Sequence, residues 1–365
     1  VGYPTEAMSD PRIVMLASAH PIPDERGTKA AVAILDLVDS MAEDDVCLLL
    51  LSGGGSSLLS CPLPPLTLAD MMETTRLLLR SGADIHELNV VRKHLSALSG
   101  GRLAARCAGT MATLAVSDVV GDEPAVIASG PSVQDSSTFE DARRVLRRFG
   151  LLDAVPRAVR DLIDAGCAGQ IADTPKELPK RHAFSVITSG ARAAEAAAAE
   201  ARARGYAPLV LTTFLQGEAR EVGTFLASVA RECRAHGNPV PPPACIIAAG
   251  ETTVTVTGNG AGGRNQEIAL SAAIALRDEP GILLTSFATD GKEGNTDAAG
   301  AYASAATVAA AGGLDPHACL AANDAHRFLS AANELIVTGP TGTNVNDLAF
   351  ALVEPDESRG VEGKE

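Results

Sequence analysis

Tryptophan is absent from this 365-residue chain, and it has only eight Phe and three Tyr. Any core it builds must therefore be aliphatic and alanine-rich. No CxxC pair occurs. The seven cysteines (Cys47, Cys61, Cys107, Cys167, Cys233, Cys245, Cys319) are odd in number and widely spaced, which argues against a disulfide framework and for reduced thiols in a cytoplasmic protein. No apolar run reaches the roughly 18 residues of a membrane span, and the opening residues do not read as a secretory signal. Basic charge is scarce: 30 Lys and Arg face 45 Asp and Glu, a net charge of −15. That balance argues against nucleic-acid partners and anionic membrane surfaces, although a few local Arg, Lys and backbone N–H groups can still bind an anionic substrate. The histidines show no metal-ligand spacing, which argues against zinc. Without GxSxG a hydrolase triad has no support, and the loop SGGGSS matches neither a Walker GK[ST] nor a strict GxGxxG.

What is present is length and apolar content, 46% of residues, enough for two domains with their own cores. Apolar runs alternate with helical stretches. Strands are expected over Arg12–Ser18, Val46–Ser52, Thr110–Asp118, His182–Thr188 and Ala207–Thr213. Helices are expected over Gly27–Met41, Leu66–Ser81 (starting at Thr67), Val90–Ala108, Thr138–Phe149, Val155–Ala165, Ala191–Gly205 and Glu218–His236. This order predicts an α/β fold whose mostly parallel, Rossmann-like sheet is flanked by helices on both faces. The proline run GNPVPPPA (Gly237–Ala244) reads as a boundary. Beyond it come a strand pair ACIIAAG and TTVTVTG, a helix over Gln266–Arg277, the strand GILLTSFATD, helices near Ala303–Ala311 and Asp324–Ala331, and the strand ELIVTGP. These form a smaller C-terminal α/β domain. The expected division is 1–240, 245–353 and a polar tail at 354–365.

Six stretches can carry chemistry. Ser52, Gly53, Gly54, Gly55, Ser56 and Ser57 follow the second strand. Glycines at a strand's carboxyl end let backbone N–H groups approach an anion, with the positive end of a following helix in support; a tight turn is the plain alternative. NVVRKHLSALSGGRLA supplies Asn89, Arg92, Lys93 and Arg102, which suit a carboxylate or phosphate or simply form a basic helix face. Asp118, with Asp122 and Glu123, ends the third strand, where it could hold Mg²⁺ through waters or merely cap a loop. The stretch GETTVTVTGNGAGGRNQEIAL (Gly250–Leu270) brings Gly262, Gly263 and Arg264, followed by Asn265, to a helix N-terminus, an arrangement suited to anions, with a glycine-rich hairpin as the plain alternative. ATDGKEGNTDAAGA places Asp290 and Asp297 on one strand-end loop, as general base, Mg²⁺ relay or Asx-turns. The pair Asn346–Asp347 reads as a cap of a final helix.

Taken together and in this order, AHPIPD, LLSGGGSSLL, NVVRKHLSALSGGRLA, SDVVGDEPAVIASGP, GGRNQE, ATDGKEGNTDAAGA and VTGPTGTNVNDL resemble the glycerate 2-kinase family with a C-terminal MOFRL domain, some members of which are labelled hydroxypyruvate reductase. The resemblance runs from about His20 to about Leu352. It implies ATP- and Mg²⁺-dependent phosphorylation of the small molecule D-glycerate to 2-phosphoglycerate, by a monomer or homodimer, with the site in a cleft between a larger and a smaller α/β domain. In that frame Ser52–Ser57 hold the nucleotide phosphates, and Asn89, Arg92, Lys93, Arg264 and Asn265 bind substrate. Arg264, Asp290 and Asp118 serve catalysis, and Asp290 and Asp297 serve Mg²⁺. The family also carries an upstream glycine loop with a Gly-Lys-Ala lysine that the sequence from Val1 onward does not contain. The expectation is a chain truncated relative to the family and impaired by that loss. Two other classes stay open: an NAD(P)H-dependent hydroxypyruvate reductase, and a non-catalytic form that binds glycerate or nucleotide without turnover.

Overall fold

A computed structural model describes residues 10–179 and 181–356. The chain divides into two compact units, one of residues 1–116 and 122–187, the other of residues 117–121 and 188–365. Among the described residues no helix is long and apolar enough to cross a membrane, and all seven cysteines are free thiols.

The first unit runs α1 (Glu25–Asp39), β1 (Val46–Leu51), α2 (Gly55–Leu58), α3 (Leu68–Arg80), α4 (Ile85–Leu95), α5 (Arg102–Arg106), β2 (Thr110–Val116), α6 (Phe139–Arg148), α7 (Arg157–Cys167) and β3 (Ala183–Thr188). Its helices start where the side chains dictate. Thr67 and Asp70 form a reciprocal capping box on α3, as do Asp84 and Glu87 on α4, and Thr138 and Asp141 on α6. Phe139, Leu78, Leu95, Leu146 and Ile163 bury the contacts among α3, α4, α6 and α7. A separate cluster of Ala31, Leu35, Leu103 and Met111 joins α1 and α5 to the three-stranded sheet, ordered β1-β2-β3. Strands β1 and β2 are parallel, from Val46 opposite Thr110 to Leu51 opposite Ala115.

Three expectations fail here for local reasons. The segment Arg12–Ser18 is not a strand, because among the described residues no strand pairs with it. Strand β1 is not covered on both faces: Val46 and Leu50 are 69% and 67% exposed, while Cys47 and Leu49 pack on the α1–α5 cluster. The single helix expected over Val90–Ala108 is broken at Ser96. The Ser96 hydroxyl accepts the N–H groups of Leu98 and Ser99, and the Ala97 N–H goes to the Cys61 carbonyl. That bonding diverts donors from a helical ladder.

The second unit runs α8 (Gly190–Ala203), β4 (Ala207–Leu215), α9 (Ala219–His236), β5 (Ala244–Gly250), α10 (Arg264–Ala275), β6 (Ile282–Ala288), β7 (Gly300–Ser304), α11 (Thr307–Ala310), α12 (Pro316–Ala321), α13 (Ala325–Ala331), β8 (Leu335–Ile336) and β9 (Asp347–Val353). The sheet order is β4-β5-β9-β6-β7-β8. Only β4 and β5 are a parallel pair among the registers resolved in this sheet, so it is mixed rather than mostly parallel. The proline run Gly237–Ala244 connects α9 to β5 inside this unit, and the boundary between the units falls earlier, between Ile187 and Thr188. Strand β5 is buried along its whole length, between α8 on one face and α9 with α10 on the other.

Here too some expected elements differ. TTVTVTG forms no strand: its backbone is taken by Gly217, Glu218 and the Asn323 side chain. Residues 303–311 split into the end of β7 and a four-residue helix. The helix expected after Asn346–Asp347 is a strand, β9, which runs antiparallel between β5 and β6. Its alternation of Leu348, Phe350 and Leu352 against Ala349, Ala351 and Val353 has the period of a pleat, with each set facing a different core. The polar tail falls largely outside the described residues.

Candidate active site

Each unit gathers one group of the residues singled out from the sequence. In the first unit the chain leaves β1 at Leu51 and turns through Gly54, whose φ of 81° is left-handed. A Cβ at Gly54 would lie 2.8 Å from the His20 ring, so both conformation and space require glycine. The following helix α2 has only four residues, too short for the supporting dipole expected of it. What surrounds the loop is a hydrogen-bond chain. The hydroxyls of Ser56 and Ser129 lie 2.7 Å apart, and Ser129 donates to Asn89 Oδ1 at 2.8 Å. Ala128 and Ser129 both have positive φ, 50° and 59°. Such backbone costs on the order of 1–3 kcal/mol per residue and persists where surroundings enforce it. Asn89 thus orients the loop through Ser129.

Arg92 reaches the same loop, donating from Nη2 to the Ser56 carbonyl at 3.1 Å. Burial pulls its pKa down, yet it stays cationic. Among the described residues no carboxylate forms an ion pair with it. Lys93, its neighbour in sequence, faces a different task. Its ammonium is buried 3.4 Å from Asp135 Oδ1. Burial alone would raise the Asp135 carboxyl, but Lys93, Ser137 and Thr174 together hold it below its usual range. Lys93 is therefore committed to an internal pair, and Lys93→Ala is expected to destabilise the protein by about 3–5 kcal/mol, because Asp135 is left buried and uncompensated. Urea denaturation checks this; a fully stable variant that had lost substrate affinity would return Lys93 to the site. Arg102 is partly desolvated beside Asp173 and Asp135, with Nε and Nη2 unbonded.

In the second unit, strand register does the gathering. Gly250, the last residue of β5, and Ala288, the last of β6, both pair with Asp347, the first of β9. Glu251, Asp347 and Asp290 consequently sit at one end of three adjacent strands. Arg264 opens α10 among them. Its Nε and Nη2 grip Asp347 Oδ2 and Oδ1 at 2.5 and 3.0 Å, a two-pronged pair, and Nη1 lies 2.8 Å from Glu251 Oε1. Burial pushes the Glu251 carboxyl up; Arg264 opposes this, and Asp347 and Asp118 add repulsion. Burial likewise raises Asp347 against the pull of Arg264. The arginine is held far on the protonated side despite its own burial, because Asp347 and Glu251 stabilise its charge. Three of its five N–H groups are used in these pairs, which leaves one on each terminal nitrogen for a ligand oxygen.

The remaining residues divide. Asn265 is fully buried; its Oδ1 accepts from Ser286 Oγ at 2.5 Å, while its amide nitrogen has no hydrogen-bond partner. Asp290 accepts the Lys292 N–H in an Asx-type turn. Asp118 lies close enough to bear on Glu251. Asp297 is exposed. Among the described residues no cluster of three or more His, Cys, Asp or Glu could hold a metal by protein groups alone. The donor chemistry suits Mg²⁺ all the same: an oxygen-only set carrying more carboxylates than its single arginine offsets, for an ion that keeps waters and needs only one or two carboxylates. Three residues escaped the sequence reading: Glu251, Asp347 and the buried Glu293, whose carboxylate accepts the Asn265 and Gln266 N–H groups at the start of α10. Glu251 could have been found as the residue following a fully apolar strand. Asp347 was hidden by reading a strand as a helix.

The chain matches the model of a domain of unknown function (DUF4147) over residues 2–164 and that of the MOFRL family over residues 244–347. It is 43% identical to a glycerate 2-kinase of Pyrococcus horikoshii, over 95% of this chain and 80% of that protein. It is 42% identical to a putative hydroxypyruvate reductase of Agrobacterium vitis, over 94% and 78%. The crystal structure of a glycerate kinase from Thermotoga maritima superposes with a TM-score of 0.85 at 44% identity, covering 92% of this chain and 80% of that one. Identity of this order, sustained through both of its matched regions, means that the chain belongs to the glycerate 2-kinase family with a C-terminal MOFRL domain.

Proposed function

We propose that this protein is a glycerate 2-kinase that transfers the γ-phosphoryl group of ATP to the C2 hydroxyl of D-glycerate, yielding 2-phosphoglycerate and ADP. The observation that carries the reading is the register of β5, β9 and β6, which sets Glu251, Asp347 and Asp290 around Arg264 at one strand end. Phosphoryl transfer asks for positioned charge more than for covalent chemistry. Arg264, fixed by its carboxylates, offers its two remaining N–H groups to the transferred phosphoryl or the substrate carboxylate. Asp290 and Asp297 would hold Mg²⁺, which when bound would neutralise charge on the phosphate oxygens. Asp118 accepts the proton of the attacking hydroxyl. In the first unit, the Ser52–Ser57 loop and Arg92 take an anionic group through backbone N–H and guanidinium. Lys93 is left out of the ligand set because it is paired internally, whereas Asn265, whose amide nitrogen is unbonded, stays in it. A reductase would bind a dinucleotide. The helix after SGGGSS is only four residues long, and the GxGxxG run Gly258–Gly263 follows no strand, which leaves that reading without a Rossmann-type cofactor cradle.

A coupled assay separates the two. D-glycerate with Mg-ATP is expected to release ADP above a glycerate-free control, and hydroxypyruvate with NADH or NADPH to give no oxidation. The opposite pattern would establish the reductase.

A further inference from the structure

We propose that Glu293 is a positioning residue for Arg264: its buried carboxylate locks the first turn of α10 and thereby sets the direction in which the guanidinium is presented. The proposal rests on the reading of Arg264 given above and adds a residue to its machinery.

The helix N-terminus that an external anion was expected to occupy is already filled. Glu293 Oε2 accepts the Asn265 N–H at 2.7 Å and Oε1 accepts the Gln266 N–H at 2.8 Å, directly after Arg264. The glycines of the preceding loop make room for this carboxylate. A Cβ on Gly263 would stand 2.7 Å from Glu293 Cδ and Oε2, and one on Gly294 would stand 2.1 Å from the Gly262 carbonyl. The contact is tied from behind: Glu293 N–H donates to the Ala298 carbonyl, Thr296 donates to the Glu293 carbonyl, and Gln266 Nε2 donates to Thr296 Oγ1 at 2.9 Å. One arginine is therefore fixed at both ends, its fork by Asp347 and Glu251 and its backbone by Glu293.

Glu293 faces Asp347 from β9 and Arg264 from α10, while His326 of α13 lies 3.1 Å from Gln266 Oε1 behind it. Burial pushes its carboxyl up to about 7, against the two N–H groups that favour the anion and with repulsion from Asp347 in support. Below that pH the clamp loses its charge.

The test uses the full chain. Wild-type kcat is expected to fall as pH drops through about 7, with KM for glycerate nearly constant. Glu293→Gln, neutral throughout, is expected to show a flat profile about 10- to 100-fold below the wild-type plateau. Gly263→Ala keeps every charge but forces the two loops apart, and is expected to lower kcat in the same way. A Gln variant with wild-type kcat and the same acid limb would overturn the proposal. A second readout needs no turnover: the Arg264 Nε–H signal in a proton–nitrogen NMR spectrum, identified by its loss in Arg264→Ala, is expected to move in Glu293→Gln. An unmoved signal refutes the clamp. A moved signal in a protein with no glycerate-dependent ADP release supports the clamp and refutes the kinase reading instead.

Discussion

Replacing Arg264 by lysine is expected to lower kcat by about 100- to 1000-fold, the usual cost of removing one preorganised donor from a transition state. The charge survives, so a merely electrostatic role would be spared. What is lost is the fork. Lysine can reach Asp347 or Glu251 as a point charge, but cannot bridge both and still hold two N–H groups outward. Steady-state kinetics with glycerate and Mg-ATP read this directly, and a kcat within threefold of wild type would remove Arg264 from the chemistry. Arg264→Ala is the harsher variant and the less informative one, because it also leaves Asp347 buried without its cation, a change that costs about 3–5 kcal/mol by itself.

Gly54→Val is expected to abolish measurable nucleotide binding at the loop after β1. The substitution meets two obstacles at once: a β-branched side chain at a φ of 81°, and the His20 ring 2.8 Å from the new Cβ. The loop must then rearrange, which also breaks the link from Ser56 through Ser129 to Asn89. Calorimetric titration of Mg-ATP into the folded variant checks the result; unchanged affinity would place the nucleotide elsewhere. His20→Ala relieves the collision but not the backbone strain, so the double variant is expected to recover little.

How far the sequence could go is visible in single elements. The buried run at β5 and the capping pairs Thr67–Asp70 and Thr138–Asp141 announce their structures, because the information is local: side-chain period and a hydrogen bond three residues away. The tight turn at the glycine loop was legible for the same reason. Asp347 and Glu293 were not. Asp347 acts through a register that pairs it with residues 97 and 59 positions earlier, Gly250 and Ala288, and Glu293 acts on a helix that starts 29 residues before it. Neither separation leaves a periodic trace. The glycines of GNGAGGRNQE lead Arg264 to a helix N-terminus suited to an anion, but the group they admit there is the protein's own carboxylate. Lys93 shows the converse: a basic residue beside a site residue in sequence, turned by helix geometry to a buried aspartate. The exposed apolar residues of β1 show a further limit, since an apolar strand reads alike whether one face is covered or two.

The claim that most needs testing is the site of phosphorylation. A phosphorus NMR spectrum of the product formed from D-glycerate and Mg-ATP, recorded without proton decoupling, reports the carbon that carries the phosphate through its attached hydrogens. Transfer to C2, which bears one hydrogen, gives a new doublet, and that is the predicted result. A triplet, from a phosphate on the CH₂ at C3, or the absence of any glycerate-dependent signal, would contradict the assignment.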